Sequence, residues 1–326
     1  MIRTMHIRME EWPIRGVFRI SRGSSTSVKV VVVELEEGGC RGRGEASPER
    51  YGMDVELALA AIEDVRSAVE QGVSRAELQN LLPQGPVRNG LDLALWDLEA
   101  KLTGVPVWKR AGFEKVLPLT TAWTISLDSV EKMEESSRLH RDKPLLKIKL
   151  TGESDLERVR AVRHGAPECR LIVDANESWS AQYYEKIIEE LAGLGVELIE
   201  QPFPSGRDDI LARLPRPVPV CADESCRDRA SLAKLAGIYD YINIKLDKTG
   251  GLTEALLLKK EAEKNNLGIM VGCMVATSLG IAPALLLAQG ADFVDLDGHL
   301  LLARDRTPRL QSAVYQLLPP GQELWG

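Results

Sequence analysis

From about residue 118 onward the chain repeats one pattern, a short apolar run followed by a stretch with helical spacing. Eight such runs recur roughly every 25 residues: "LTTAWTI", "LLKIKL", "RLIVDAN", "VELIEQP", "VPVCADES", "YINIKLD", "LGIMVGCM" and "DFVDLD". Between them lie segments such as "SAQYYEKIIEELAGLG" and "TEALLLKKEAEKNN", whose apolar residues recur at helical intervals. Eight short strands alternating with helices predict an α/β barrel of TIM type. The spacing falls below the ~30 residues of a typical βα unit, so tight loops are expected.

The first part of the chain has a different rhythm. "VKVVVVELEEGGCRGRGEA" reads as strand, glycine turn and strand. "MDVELALAAIEDVRSAVEQG" and "VRNGLDLALWDLEAKLTG" then read as helices, each ending in glycine. Strands followed by segregated helices predict an α+β domain over residues 1–115. The barrel is expected over 116–302. The stretch from about 303 to 326 shows no strand signal and is expected to pack back on the first domain.

Bulk properties narrow the function. With 326 residues the chain can hold a large core and two domains. A net charge of −7 leaves no basic footprint for nucleic acid. No apolar run reaches the ~18–20 residues of a membrane span, and "MIRTMHIRMEEWP" lacks the apolar centre of a signal peptide. The five cysteines, Cys40, Cys169, Cys221, Cys226 and Cys273, form no CxxC pair. An odd count of this kind suits reduced thiols, so a cytoplasmic protein is expected. The partner expected is a small molecule; the sequence leaves a homo-oligomer open.

In barrels of this kind the chemistry stands at the C-terminal ends of the strands. The second run carries Lys147 and Lys149, which share one strand face because residues two apart point the same way. The third run ends at Asp174, with Asn176 two residues on; the fourth ends at Glu200, the fifth at Asp223 and the sixth at Lys245. The eighth carries Asp295 and Asp297. Three carboxylates converging from adjacent strands would repel one another and force a proton onto at least one of them. A hard divalent cation removes that conflict, Mg²⁺ first and Mn²⁺ second. Any one of these carboxylates read alone is a helix cap. Asn176 would support the ligands from outside. Lysines flank the acidic cluster on both sides, and a lysine acts as a base only when neutral. Burial, a second lysine and a nearby cation are expected to lower the pKa. The alternative is a plain salt bridge between each lysine and a site carboxylate. A cation that stabilises an oxyanion, beside a lysine that takes the proton from the neighbouring carbon, suits α-proton abstraction next to a carboxylate.

These residues resemble the enolase superfamily in its muconate-lactonizing subgroup. "KIK", "IVDANESW", "IEQP", "CADES" and "NIKLDKTGGL" match its pattern in order, and "GEASPERYG" and "NGLDLALWDLEAKL" extend the likeness into the first domain. The resemblance implies a (β/α)7β barrel under an α+β capping domain, with Asp174, Glu200 and Asp223 as metal ligands. It implies that Lys149 acts on the (R)-centre and Lys245 on the (S)-centre, while Lys147 supports the enediolate. Within the subgroup, the Asp295-x-Asp297 pair is similar to that of dipeptide epimerases, where it holds a substrate ammonium. An epimerase of L-Ala-D-Glu and L-Ala-L-Glu, in murein peptide metabolism, is the activity so implied. The alternatives are an o-succinylbenzoate synthase or cycloisomerase, and a catalytically silent barrel that binds dipeptide or metal. By the same resemblance Thr124 and Cys273 line the substrate pocket. Arg22, in the polar loop "RISRGSSTSV", reads an acidic side chain, with Arg19 as its alternative.

Overall fold

The computed structural model describes residues 2–20 and 23–326. Three antiparallel strands open the chain: β1 (Thr4–Ile20), β2 (Gly23–Glu37) and β3 (Cys40–Ala46), in the order β1-β2-β3. The run Val30–Val33 is wholly buried because β2 is covered on both faces. Val31, Val33 and Leu35 pack into the core of the first domain, whereas Val28, Val30 and Val32 join the core of the barrel. Where a loop "RISRGSSTSV" is expected, the described residues 19–20 and 23–28 are strand. β1 runs through Ile20, β2 starts at Gly23, and Arg19 pairs with Ser24.

Five helices follow: α1 (Val55–Asp64), α2 (Arg66–Glu70), α3 (Arg75–Leu81), α4 (Pro86–Thr103) and α5 (Val107–Arg110). Their ends are written in the sequence. The Asp54 side chain caps α1, Ser74 and Glu77 form a capping box on α3, and α4 begins with Pro86 and ends at Gly104 with φ 67°. α4 lies directly on β3, and this close approach requires glycine: a β-carbon on Gly44 would sit 2.0 Å from the Gly90 carbonyl oxygen.

After β4 (Leu119–Thr120) come eight parallel strands, each matching one of the eight predicted runs: β5 (Trp123–Ile125), β6 (Leu145–Lys149), β7 (Arg170–Asp174), β8 (Val196–Glu200), β9 (Val220–Ala222), β10 (Tyr241–Ile244), β11 (Gly268–Gly272) and β12 (Phe293–Asp295). Ala122 N–H donates to the Val294 carbonyl at 2.8 Å and joins the two ends of the sheet. Helices α6 (Val130–Leu139), α7 (Asp155–Gly165), α8 (Ala181–Gly193), α9 (Leu232–Leu235), α10 (Leu246–Thr249), α11 (Leu252–Lys264) and α12 (Ser278–Leu287) fill the connections, except that a 3₁₀ turn at Asp209–Arg213 follows β8. No helix among the described residues is long and apolar enough to cross a membrane.

The C-terminal stretch corrects one expectation. It carries two short strands, β13 (Ser312–Ala313) and β14 (Gln316–Leu317), and β14 pairs with β4. Two-residue strands have too few residues to show alternation, so no sequence signal marks them. The chain end packs on α4: Trp325 Nε1 donates to the Leu93 carbonyl and Gly326 N to Asp97 Oδ1.

Candidate active site

Strand periodicity builds the site in two tiers. Leu145, Ile172, Leu198, Cys221, Met270 and Phe293, with Ala122 and Tyr241, form a separate apolar cluster inside the barrel. Two residues further along, the same inward faces present Lys147, Asp174, Glu200, Asp223 and Asp295, and Lys245 follows Tyr241 by four. A third step on β6 gives Lys149, and one beyond β12 gives Asp297. Inward-pointing lysines on an interior strand are thus explained: they enter above an apolar floor, where carboxylates from the neighbouring strands receive them.

The pairing is nearly symmetric about Glu200. Lys149 Nζ on β6 lies 2.6 Å from Asp174 Oδ2 on β7. Lys245 Nζ, at the end of β10, lies 2.6 Å from Asp223 Oδ2 beyond β9. Lys147 Nζ stands 2.6 Å from Glu200 Oε2, 3.2 Å from Asp174 Oδ2 and 2.7 Å from Asp295 Oδ2. All seven of these carboxylates and lysines are buried.

Charge follows geometry. Burial raises the Glu200 carboxyl and the Asp174 charge adds to this, so it reaches about 7 despite Lys147. For Asp174, the opposing burial is outweighed by Lys149 and Lys147, which hold its carboxyl below the usual range; Asp223 is held down in the same way by Lys245 and Lys248. The protein's own groups raise two of the lysines, whereas a lowering is expected beside a cation. Burial lowers Lys147, but Asp295, Glu200 and Asp174 outweigh it and hold the ammonium well above its ordinary value. Asp223 and Glu200 do the same for Lys245. Carboxylates outnumber ammonium groups around each, so attraction exceeds the mutual repulsion of the lysines.

A cavity of about 360 Å³ opens above this layer. Lys149, Lys245, Asp223, Asn176 and Cys273 line it, together with Phe18 and Tyr51 from the first domain. Asp295, Asp297 and Thr124 lie buried off its wall. Asp297 Oδ2 accepts the Thr124 backbone N–H at 2.7 Å. Burial and the neighbouring Asp295 charge raise the Asp297 carboxyl to about 7. Arg22 lies outside the described residues. Its alternative, Arg19, is directed elsewhere, with Nη1 2.9 Å from Asp128 Oδ2. Asn176 acts on Asp174 through its backbone, donating N–H to Oδ1 at 2.9 Å.

Three residues of the site carry no role in the sequence reading. Lys248 Nζ lies 2.5 Å from Asp223 Oδ1 and 2.8 Å from the Asn243 carbonyl. Its three-residue spacing from Lys245 across the start of α10 was the available signal. Asn243 Nδ2 donates to Glu200 Oε1 at 2.8 Å; it stands two residues before Lys245, on the same strand face. Gln201 Oε1 accepts the backbone N–H groups of Asp223 and Ser225, so it fixes the turn after β9.

The donor set fits a hard divalent cation. Asp174, Glu200 and Asp223 offer buried oxygen donors from three adjacent strands, and Lys147 and Lys245 each approach two of them. Among the described residues they are not gathered as a ready ligand set, because each turns an oxygen to a lysine.

A barrel with two lysines facing one cavity across clustered carboxylates defines an acid–base class of α/β enzyme. The N-terminal domain description of mandelate racemase/muconate lactonizing enzyme matches residues 2–112, and the enolase C-terminal domain-like description matches residues 132–309. The chain belongs to this mandelate racemase/muconate lactonizing family of the enolase superfamily. It is similar to the L-Ala-D/L-Glu epimerase of Escherichia coli (strain K12), with 43% identity over 97% of this chain and 99% of that protein. It is also 44% identical to an N-acetyl-D-glutamate racemase of Pseudoalteromonas sp. over 77% of this chain and 79% of that protein. Among solved structures, an enolase family member from Agrobacterium tumefaciens with homology to dipeptide epimerases, with bound sodium and L-Ala-L-Glu, superposes with a TM-score of 0.98 at 47% identity, covering 99% of this chain and all of that one.

Proposed function

We propose that this protein is a Mg²⁺-dependent dipeptide epimerase that inverts the α-carbon of the C-terminal residue, with L-Ala-D-Glu and L-Ala-L-Glu as its principal pair, in murein peptide metabolism in the cytoplasm. One observation carries the reading. Lys149 and Lys245 line the same cavity from β6 and β10, which stand four places apart in a sheet of eight strands and therefore face each other. A substrate α-carbon between them meets a proton acceptor on one side and a donor on the other. Lys149 takes or returns the proton of the (R)-configured residue, and Lys245 does so for the (S)-configured one.

Asp174, Glu200 and Asp223 would hold the cation, which supplies Lewis-acid charge for a substrate carboxylate. Lys147 holds Glu200, Asp174 and Asp295 together and keeps positive charge beside the reacting carboxylate. Asp295 and Asp297 receive the substrate ammonium. The raised Asp297 carboxyl supports this role, since two adjacent carboxylates resist full ionisation until a cation joins them. Residues 1–115, with about 303–326, form the cap; residues 116–302 carry the chemistry. Thr124 and Cys273 border the bound dipeptide, and Arg22 reads its acidic side chain.

A second reading, racemisation of an N-acylated amino acid, is favoured by the likeness to the N-acetyl-D-glutamate racemase and by the engagement of Asp295 with Lys147. Incubation in ²H₂O with Mg²⁺ and a set of free and N-acetylated substrates separates the two. α-Deuteration of free dipeptides supports the first reading; deuteration confined to N-acetylated amino acids replaces it with the second.

A further inference from the structure

The two motifs "NGLDLALWDLEAKL" and "NIKLDKTGGL" lie in different domains, and the fold presses them together. α10, directly after Lys245, has four residues. Helices this short do not hold themselves, because nucleation is unfavourable. Its support comes from α4. Asn89 Nδ2 donates to Asp247 Oδ1 at 2.9 Å, and the Ser47 backbone N–H reaches the same oxygen at 3.1 Å. At the other end, Arg88 Nη2 donates to the Thr249 carbonyl at 2.6 Å and Nε to the Gly250 carbonyl at 3.1 Å. Asp92 Oδ2 accepts the Thr253 N–H at 3.0 Å just beyond. The fit leaves no room: a β-carbon on Gly250 would lie 2.5 Å from Arg88 Nε, and one on Gly251 2.4 Å from Asp92.

Lys245 is the residue on which α10 starts. Its carbonyl accepts the N–H groups of Lys248 and Thr249 at 3.0 and 3.1 Å. Displacing α10 therefore displaces Lys245 and Lys248 together. Lys149 is supported otherwise. Its strand is bonded to β5 and β7 on either side, and the turn after it closes on Asp155 within the barrel.

We propose that Arg88 and Asn89 are positioning residues for one of the two lysines, Lys245, and that the first domain thereby governs one face of the reaction and not the other. This rests on the two-lysine reading above. The test is α-proton exchange in ²H₂O, measured by mass spectrometry from dipeptides with a D- or an L-configured C-terminal residue. In Asn89→Ala, exchange of the L-configured residue should fall relative to that of the D-configured one by about 10- to 100-fold, the scale expected when a reacting group is misplaced by around 1 Å. The ratio of the two rates does not depend on how much of the protein is folded, so partial unfolding does not mimic the effect. Arg88→Gln applies the same test from the other end of α10 should Asn89→Ala fail to fold. Asp247→Asn keeps an oxygen for both bonds and should keep the ratio. An unchanged ratio in both α4 variants, or a shift in Asp247→Asn as large as in Asn89→Ala, would overturn the proposal. A wild-type protein that exchanges neither configuration would instead overturn the two-lysine reading, and this inference with it.

Discussion

Lys147 Nζ lies 2.7 Å from Asp295 Oδ2, a bond that crosses from β6 to β12 and ties the acidic pair to the lysine pair. Asp295 is thus partly engaged before any substrate arrives. Asp297, which is held by Thr124 and forms no ion pair among the described residues, is the more available partner for an ammonium. Asp297→Asn should therefore lower kcat/KM for free dipeptides by about 2–5 kcal/mol, the scale for losing one member of a buried charge pair. The thermal midpoint should change little. N-acetylated dipeptides that react as well as free ones in the wild-type protein would remove the ammonium role.

Glu200 stands at the centre of the carboxylate set, and its replacement by Gln removes one anionic donor while keeping shape. Titration calorimetry of Glu200→Gln should show Mg²⁺ affinity weakened by more than about 10-fold, since hard cations select anionic oxygen. Chelator should abolish wild-type activity, and added Mg²⁺ should restore it. Unchanged affinity in the variant would take Glu200 out of the ligand set.

His299 offers a test of the electrostatics away from the cation. Burial pushes its imidazole down to about 4, with Asp305 opposing and Arg309 adding to the shift. A depressed histidine pKa means that the unfolded chain binds the extra proton first as pH falls. The contribution to stability is full above the ordinary value of about 6.5 and is lost as pH drops toward 4. His299→Gln should narrow the difference in thermal midpoint between pH 8 and pH 5 relative to wild type. An equal difference in the two proteins would contradict the assignment.

The barrel was legible because each of its strands is written locally, in a run of apolar residues long enough to show itself. The carboxylates and lysines were legible for the same reason: each stands at the end of such a run, and period-two alternation puts them on one face. What the sequence concealed depends on pairs that are distant in the chain. Nothing near Asn89 indicates that its side chain meets Asp247, and the strand ends that set lysines beside the acidic cluster do not say which carboxylates Lys147 meets. The raised lysines follow the salt-bridge alternative open in the sequence: carboxylates from β7, β8 and β12 outweigh burial at Lys147. The pairing of Arg19 and Ile20 with Ser24 and Gly23 was hidden by composition, because serine and glycine in a two-stranded extension resemble a loop.

The central claim is that Lys149 and Lys245 each serve one face of the substrate α-carbon, and their single replacements test it most directly. With Mg²⁺ present and its binding verified by calorimetry, Lys245→Ala in ²H₂O should lose epimerisation in both directions, yet still exchange the α-proton of the D-configured residue without inversion. Lys149→Ala should show the mirror pattern, with exchange retained only for the L-configured residue. Removal of a positioned acid or base costs about 10²–10⁴-fold, which leaves the surviving exchange measurable while inversion vanishes. Inversion at a near-normal rate in either variant, followed by polarimetry, would contradict the two-lysine mechanism.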